Sequence, residues 1–182
     1  MIRKAESYDI HTIAKLACKL WPDNTVAEME AEMAEVLAQA DGAVFLALDN
    51  ETPIGFAQCQ LRHDYVEGTE SSPVGYLEGI YVAEECRKQG IARALLSACE
   101  KWAKEKGCRE FASDCELTNT QSLQFHLNVG FQEANRIICF KLSQSTIRRA
   151  LHDLRKEGLL ITEQRYRKTG GKSSLLYRIK AE

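Results

Sequence analysis

Arg87-Lys88-Gln89-Gly90-Ile91-Ala92 forms a short cationic turn between two apolar segments. An apolar run ends before it at Gly79-Ile80-Tyr81-Val82, and an amphipathic run from Leu95 to Trp102 follows it. This order predicts a strand, a tight turn and the start of a helix. A glycine lets the backbone approach a ligand closely, and a helix N-terminus presents unpaired N–H groups and a positive dipole end. The turn is therefore predicted to bind a polyanion such as a pyrophosphate.

The segments on either side of the turn alternate between strand and helix patterns. Apolar residues recur with helical spacing or in short period-two runs, and Gly107 marks a helix end. The predicted strands cover 1–6, 43–48, 53–62, 74–82, 110–114 and one or two stretches of 131–142, and the predicted helices cover 10–20, 25–39, 92–106 and 120–129. The polar link 63–73 is long for a hairpin and is typical of a functional loop. The order predicts a mixed α/β layered domain.

The charge distribution divides the chain at about residue 142. Residues 1–142 carry 14 Lys and Arg against 22 Asp and Glu, whereas residues 143–182 carry 10 against 4, so the two parts have net charges of −8 and +6. An acidic body attracts a polycationic ligand, and a basic tail attracts that body, a partner or nucleic acid. We predict one domain over 1–142 and an extension over 143–182. Its basic helix and β-hairpin, around Gly170-Gly171, resemble half a winged helix.

The sequence shows no sign of export, membrane insertion or metal binding. Its start lacks an apolar signal region, and no apolar run approaches the roughly 18 residues that a membrane span needs. The seven cysteines are odd in number and include no Cys-x-x-Cys pair of the kind used for zinc or redox chemistry. We expect a cytoplasmic protein with reduced thiols, no metal and no membrane partner.

Several blocks, taken in order, resemble one enzyme family. These are Tyr65–Thr69, Ser71–Val82, the turn Arg87-x-x-Gly90-x-Ala92, Ala112–Asp114, and Ser122–His126 with Gly130-Phe131. Over residues 1 to 142 they resemble the aminoglycoside 6'-N-acetyltransferases of the GCN5-related N-acetyltransferase (GNAT) superfamily. The resemblance implies a mixed central sheet with flanking helices, in which the fourth and fifth strands splay apart. It also implies acetyl transfer from acetyl-CoA to the 6'-amine of aminoglycoside antibiotics, which confers resistance.

The resemblance assigns the cofactor site to β-strand and turn residues. Main-chain atoms of Ile80 and Val82, on either side of Tyr81, would pair with the pantetheine arm. The N–H groups of the turn Arg87-Lys88-Gln89-Gly90-Ile91-Ala92 would hold the pyrophosphate. Asn119 and Ser122 match positions that commonly contact the cofactor, although Asn119 can equally cap its helix.

Two carboxylates are the candidate catalytic groups. A primary ammonium must lose a proton before it can attack a thioester, so a carboxylate has to bind it and accept that proton, directly or through water. The resemblance assigns contact with the substrate amine to Glu78 and Asp114, with Asp114 as the preferred base. The alternative is that Asp114 caps a strand end and Glu78 belongs to a solvated ion pair. His126 stands where many superfamily members have a tyrosine that protonates the departing thiolate, so it is either such a proton donor or a packed helix residue.

The resemblance also assigns an aminoglycoside cleft and a partner subunit. Tyr65, Glu67 and Trp21 match cleft positions, because aromatic faces and carboxylates suit a polyhydroxylated polycation, while Trp21 can equally belong to the core. Glu133 would reach the cleft of the partner in a homodimer. Two other functions stay open: acetylation of another small amine or of a protein, and DNA-binding regulation through the tail. The second is disfavoured, because the tail lacks the further helices of a full winged helix.

Overall fold

The computed structural model describes residues 1–139, 144–157, 160–165 and 174–179. Chain contacts separate the protein into two units, Met1–Arg136 and Ile137–Glu182. The first unit contains β1 (Ile2–Lys4), α1 (Ile10–Leu20), α2 (Val26–Ala38), β2 (Gly42–Asp49), β3 (Thr52–Arg62), β4 (Val74–Val82), α3 (Ile91–Glu105), β5 (Phe111–Ser113) and α4 (Thr120–Val129). Within the described residues, no helix is both long and apolar enough to cross a membrane.

The first unit is built on a five-stranded mixed sheet in the order β1-β2-β3-β4-β5. The pairs from β1 to β4 are antiparallel, and β5 joins β4 in parallel. The parallel pair is possible because α3 carries the chain from the end of β4 back to the start of β5. The predicted mixed α/β fold is confirmed.

Alternation along β2 explains why helices cover both faces of the sheet. Phe45 lies in a buried cluster with Leu95, Cys99 and Trp102 of α3, whereas its neighbour Leu46 lies in a second buried cluster. The second cluster includes Ile13 of α1 and Met29 and Met33 of α2. Because successive side chains of a strand point to opposite faces, the continuous apolar run of β2 supplies both layers of the core.

The final strands predicted over 131–142 are absent from residues 131–139, which form no regular structure. Polar side chains in this segment bond locally instead: Asn135 Oδ1 accepts from the Arg136 N–H at 2.8 Å, and the Arg136 guanidinium donates to Glu133. Local bonds of this kind compete with a β-ladder. The prediction is therefore wrong for 131–139, while residues 140–142 lie outside the described residues.

The second unit contains α5 (Gln144–Lys156) and two strands, β6 (Leu160–Arg165) and β7 (Ser174–Ile179). The strands pair antiparallel, with Leu160 opposite Ile179 and Arg165 opposite Ser174. These elements lie where the sequence predicts a helix and a hairpin, and the predicted turn at Gly170-Gly171 lies outside the described residues.

A part-buried ion pair links the start of the chain to the first helix. The Asp9 carboxylate, which is buried, accepts two hydrogen bonds of 2.7 Å from the Arg3 guanidinium and one of 2.9 Å from the Glu6 N–H. The bonds from Arg3, helped by the one from Glu6, hold the pKa of Asp9 below its usual range even though burial acts in the opposite direction. Asp9 therefore links β1 to the start of α1.

Replacing Asp9 with Asn should lower the free energy of unfolding at pH 7 by about 2 kcal/mol, because the charged acceptor is lost. The folded-state pKa is depressed, so the stabilisation is complete above the ordinary value of 3.8 and is lost as the pH falls through the folded value. Urea unfolding between pH 3 and 7 should show the two proteins converging in acid. The exposed Asp23→Asn serves as the control, and an equal loss in that variant would contradict the assignment.

Candidate active site

The sheet opens where β4 extends beyond the end of its parallel neighbour, β5. β5 pairs with β4 over Gly75–Leu77, and the pairing ends with Leu77 opposite Ser113, whereas β4 continues to Val82. Backbone groups on this side of Glu78–Val82 therefore have no β5 partner. A cleft of about 190 Å³ lies at the opening. It is lined by Leu20, Trp21, Leu77, Glu78, Gly79, Ile80, Ser113, Asp114, Cys115, Asn119, Ser122 and His126.

The turn after β4 has the backbone shape of an anion cradle. Gly90 is the N-cap of α3 with a φ of +80°, and Lys88 also has a positive φ of 61°. The amides of the first helical turn have no acceptors within the helix and so face outwards. A Cβ built on Gly90 would meet nothing within 4 Å, so the space in front of the turn is open. These features fit a bound pyrophosphate.

The side chains of the turn contribute less than the sequence indicates. The Arg87 Nε donates to the Val82 carbonyl at 3.0 Å, and the Gln89 amide donates to the Glu85 carbonyl at 3.3 Å. Both side chains therefore brace the turn against preceding residues. Lys88 is exposed and is the side-chain cation best placed to meet an anion. Ile91 and Ala92 are half-buried at the start of α3 and contribute backbone N–H groups.

Glu78 sits at an irregularity that turns its side chain. In the ladder between β3 and β4, Gln58 pairs with Gly79 and Cys59 pairs with Leu77, so Glu78 is the extra residue of a bulge. A bulge of this kind redirects a side chain and is common beside active sites. Both Glu78 oxygens accept hydrogen bonds from Arg62 of β3, at 3.1 and 2.8 Å. The predicted solvated pair for Glu78 is thus a part-buried, bidentate one.

A single network joins the two candidate carboxylates. The Arg62 guanidinium lies over the ring of Tyr76, 3.3 Å from its centroid, and the Tyr76 hydroxyl donates to Asp114 Oδ1. Burial, and then the hydrogen bond to Asp114, raise the pKa of Tyr76 well above its usual range. Tyr76 therefore stays a donor at working pH. Among the described residues, no donor reaches the second oxygen of Asp114, so that oxygen is available to a ligand.

Sequence reasoning missed the roles of Arg62 and Tyr76. Tyr76 stands two residues before Glu78, a spacing that indicates a shared strand face, but Arg62 approaches only through the register of β3 with β4.

His126 joins α4 to the end of β5. Its Nδ1 lies 2.7 Å from the Ser122 carbonyl and therefore donates, while its Nε2 lies 3.0 Å from Ser113 Oγ. Ser113 Oγ donates in turn to the Leu77 carbonyl at 3.1 Å, at the point where β4 and β5 part. His126 packs edgewise against Phe125 and Phe131, so it is a packed helix residue that also lines the cleft. Asn119 caps α4 through the Ser122 N–H at 3.0 Å.

The residues assigned to the acceptor lie in different surroundings. Trp21 is part of the core and of the cleft wall: it packs edgewise on Phe56, and a Cβ on Gly79 would come within 2.6 Å of its ring. Tyr65 is 80% exposed and donates to Glu67, whose other partner is the side-chain amide of Asn135 at 2.9 Å. The bonds from Asn135 and then Tyr65 hold the pKa of Glu67 below its usual range.

Glu133 is bonded within its own chain. Its carboxylate accepts from the Arg136 guanidinium at 2.5 and 3.0 Å, and these bonds hold the pKa of Glu133 below its usual range. Among the described residues, no three His, Cys, Asp or Glu side chains form a group that could hold a metal ion.

The acetyltransferase (GNAT) family profile matches residues 10–131. The chain belongs to this family. Among its GNAT relatives, the aminoglycoside N(6')-acetyltransferase type 1 of Stenotrophomonas maltophilia is 46% identical over 143 residues, which are 78% of this chain and 92% of the relative. The Serratia marcescens protein of the same name is 43% identical over 128 residues, or 69% of this chain and 87% of the relative. The resemblance inferred from the motifs is confirmed.

Solved GNAT structures agree with the fold described above. Aminoglycoside N-acetyltransferase AAC(6')-Iy in complex with the bisubstrate analogue CoA-S-monomethyl-acetylneamine superposes with a TM-score of 0.76 at 38% identity, over 79% of this chain and 97% of that one. AAC(6')-Ig from Acinetobacter haemolyticus has a TM-score of 0.75 at 37% identity, over 79% of this chain and 98% of that one. The first of these relatives holds a CoA derivative, and AAC(6')-Iy has also been solved with CoA itself.

Proposed function

We propose that this GNAT protein transfers the acetyl group of acetyl-CoA to the 6'-amine of aminoglycoside antibiotics and thereby confers resistance. The observation that carries the proposal is the cleft between β4 and β5, where Glu78 and Asp114 face the open end of the sheet. The names of the relatives and the bisubstrate analogue bound to one of them support this choice of acceptor and cosubstrate.

The cosubstrate residues are assigned by their backbone. The unpaired edge of Glu78–Val82 suits the amide-bearing pantetheine arm, and the amides at Gly90 and the start of α3 suit the pyrophosphate, with Lys88 adding charge. Acetyl-CoA supplies the activated acetyl thioester. The acidic character of residues 1–142 supports a polycationic acceptor.

Asp114 is the better base of the two carboxylates. Both Glu78 oxygens are engaged by Arg62, whereas Asp114 lines the cleft and, among the described residues, accepts a hydrogen bond only at the oxygen that Tyr76 contacts. Asp114 therefore binds the ammonium and accepts one proton from it, and the freed amine attacks the thioester carbon. The carbon–sulfur bond then breaks, and CoA leaves as a thiolate that takes up the second nitrogen proton, directly or through water. Tyr76 keeps the carboxylate oriented during this transfer.

The experiment that tests the function compares two acceptors. Acetyl-CoA turnover is measured with kanamycin and with a matched analogue that bears a hydroxyl in place of the 6'-amine. Turnover with kanamycin alone is the expected result. Equal turnover with both would contradict the 6'-regiochemistry, and turnover with neither would reject the antibiotic as substrate.

We further propose that the protein is a cytoplasmic homodimer. The outer edge of β5 has no partner strand among the described residues, and Ile137 and Ile138 are 66% and 81% exposed. Exposed strand edges and apolar side chains favour pairing with another chain. All seven cysteines lie in the described residues and none forms a disulfide, which suits a reducing compartment. Light scattering that shows only monomer would refute the dimer, and with it any reach of Glu133 to a partner.

We assign residues 1–142 to the acetyltransferase domain and residues 143–182 to an added element. A single helix and one hairpin are described in the extension, which supports an accessory role in preference to DNA reading.

A further inference from the structure

The loop between β3 and β4, residues 63–73, is called the acceptor loop here because it carries Tyr65 and Glu67. It is anchored at its middle by an apolar side chain. Val66 is 6% exposed and packs with Val74 and Tyr76 in a small buried cluster. The N–H and the hydroxyl of Thr69 both donate to the Val66 carbonyl, at 3.2 and 2.8 Å. The neighbouring side chains of Tyr65 and Glu67 remain exposed. The loop therefore has a defined shape that presents these two side chains to solvent.

The Glu110 carboxylate accepts hydrogen bonds from the next part of the loop, at Glu70 and Ser71. Glu110 accepts from the Glu70 N–H at 3.0 Å, from the Ser71 N–H at 2.6 Å and from the Ser71 hydroxyl. The hydroxyl bond first, and then the backbone bonds, hold the pKa of Glu110 below its usual range, so it is an anion at neutral pH. Hydrogen bonds to a charged acceptor are stronger than neutral ones. The loop is thus closed onto Glu110 by three donors.

Glu110 lies immediately before the strand that carries the proposed base. Its carbonyl accepts from the Gly75 N–H at 3.1 Å, which extends the pairing of β4 with β5. Three strand residues later, the chain reaches Asp114. Glu110 therefore bonds β4 through its backbone and the acceptor loop through its side chain. It precedes β5, and Asp114 follows β5 at the other end of the strand.

We propose that Glu110 is a positioning residue that fixes the acceptor loop relative to Asp114 and so sets the affinity for the aminoglycoside. This inference rests on the proposed function for the identity of the acceptor. Acetyl-CoA binding should be independent of the Glu110 side chain, since that side chain bonds the loop at Glu70 and Ser71 and not the turn at Gly90 or the backbone of Glu78–Val82.

The test uses Glu110→Gln in the full chain, because a glutamine turns its NH2 group or a weaker neutral acceptor towards the Ser71 and Glu70 donors. The KM for kanamycin should rise by about tenfold, the loss expected from weakening hydrogen bonds to a charged group. The KM for acetyl-CoA should not change, and kcat should stay within about twofold. Hydrogen exchange of the amides in 64–72 should accelerate in the unliganded protein.

Two further variants keep the test decisive. Ser71→Ala removes only the hydroxyl donor and should give a smaller rise in the kanamycin KM, about threefold, with the same unchanged acetyl-CoA KM. Glu100→Gln makes the same charge change at an exposed position of α3 that has no side-chain partner among the described residues, and it should behave as wild type.

The outcomes separate the inference from the proposed function. If amide exchange in Glu110→Gln is unchanged, Glu110 does not clamp the acceptor loop, and the inference is overturned whatever the activity. Faster exchange with an unchanged kanamycin KM overturns the link to affinity. A lower kcat together with a rise in both KM values also overturns it, because that pattern indicates general disruption of the protein. If the wild-type protein acetylates no aminoglycoside while exchange in Glu110→Gln is faster, the clamp stands and the proposed function fails.

Discussion

Asp114→Asn should lower kcat for 6'-amine acetylation by about 100-fold or more, since positioned proton transfer contributes on that order. Asparagine keeps the shape of the side chain and an oxygen that can accept from Tyr76, so the cleft should retain its form. It cannot accept a proton from the ammonium. The KM for acetyl-CoA should be unchanged, and steady-state release of free thiol measures both quantities.

Two companions define what this result means. Asp49→Asn makes the same charge change at the exposed last residue of β2 and should leave kcat unaltered. Glu78→Gln should reduce kcat less than Asp114→Asn, because Arg62 already occupies both oxygens of Glu78. A larger loss in Glu78→Gln than in Asp114→Asn would transfer the role of base to Glu78.

Gly90→Val should weaken CoA binding by about tenfold or more, or 1.4 kcal/mol and above. The φ of +80° at Gly90 lies in the left-handed region, which costs an ordinary residue roughly 1–2 kcal/mol and a β-branched residue more. The backbone relieves this strain by moving, and the first amides of α3 move with it. Calorimetric titration with CoA measures the change directly.

Gly107→Val is the matched control at the other end of α3. Gly107 has a φ of +91° and open space around a built Cβ, as Gly90 has, so both variants carry similar backbone strain. Only the change at Gly90 should weaken CoA binding, although both should lower the unfolding midpoint. Equal losses of CoA affinity in the two variants would mean that strain in α3, and not the cradle, is responsible.

The sequence was sufficient for the elements that rest on local patterns. The apolar periodicity of α1 and α3 and the glycines at both ends of α3 predicted boundaries that agree with the structure within about one residue. The sequence also predicts a short strand over 110–114 that ends at Asp114, and the structure places Asp114 directly after β5.

Contacts between elements could not be read in the same way. Arg62 and Glu78 meet only because the β3–β4 ladder shifts by one residue at a bulge, and no sequence pattern marks that shift. Glu110 resembles any polar residue before a strand until the loop folds back onto it. The apolar Ile137-Ile138 pair favours a strand by composition, but the local bonds of Asn135 and Arg136 precede it.

Because Arg62 is already paired with Glu78, an amine that binds Glu78 must replace one cation with another. A positively charged antibiotic that approaches Glu78 displaces a guanidinium that is already there, so its electrostatic gain is only the difference between two similar contacts. In the described part of the chain, no cationic side chain forms an ion pair with Asp114, whose hydrogen-bond donor is the neutral Tyr76 hydroxyl. Discrimination among acceptors should therefore depend on where a compound places one amine, and much less on how many positive charges it carries.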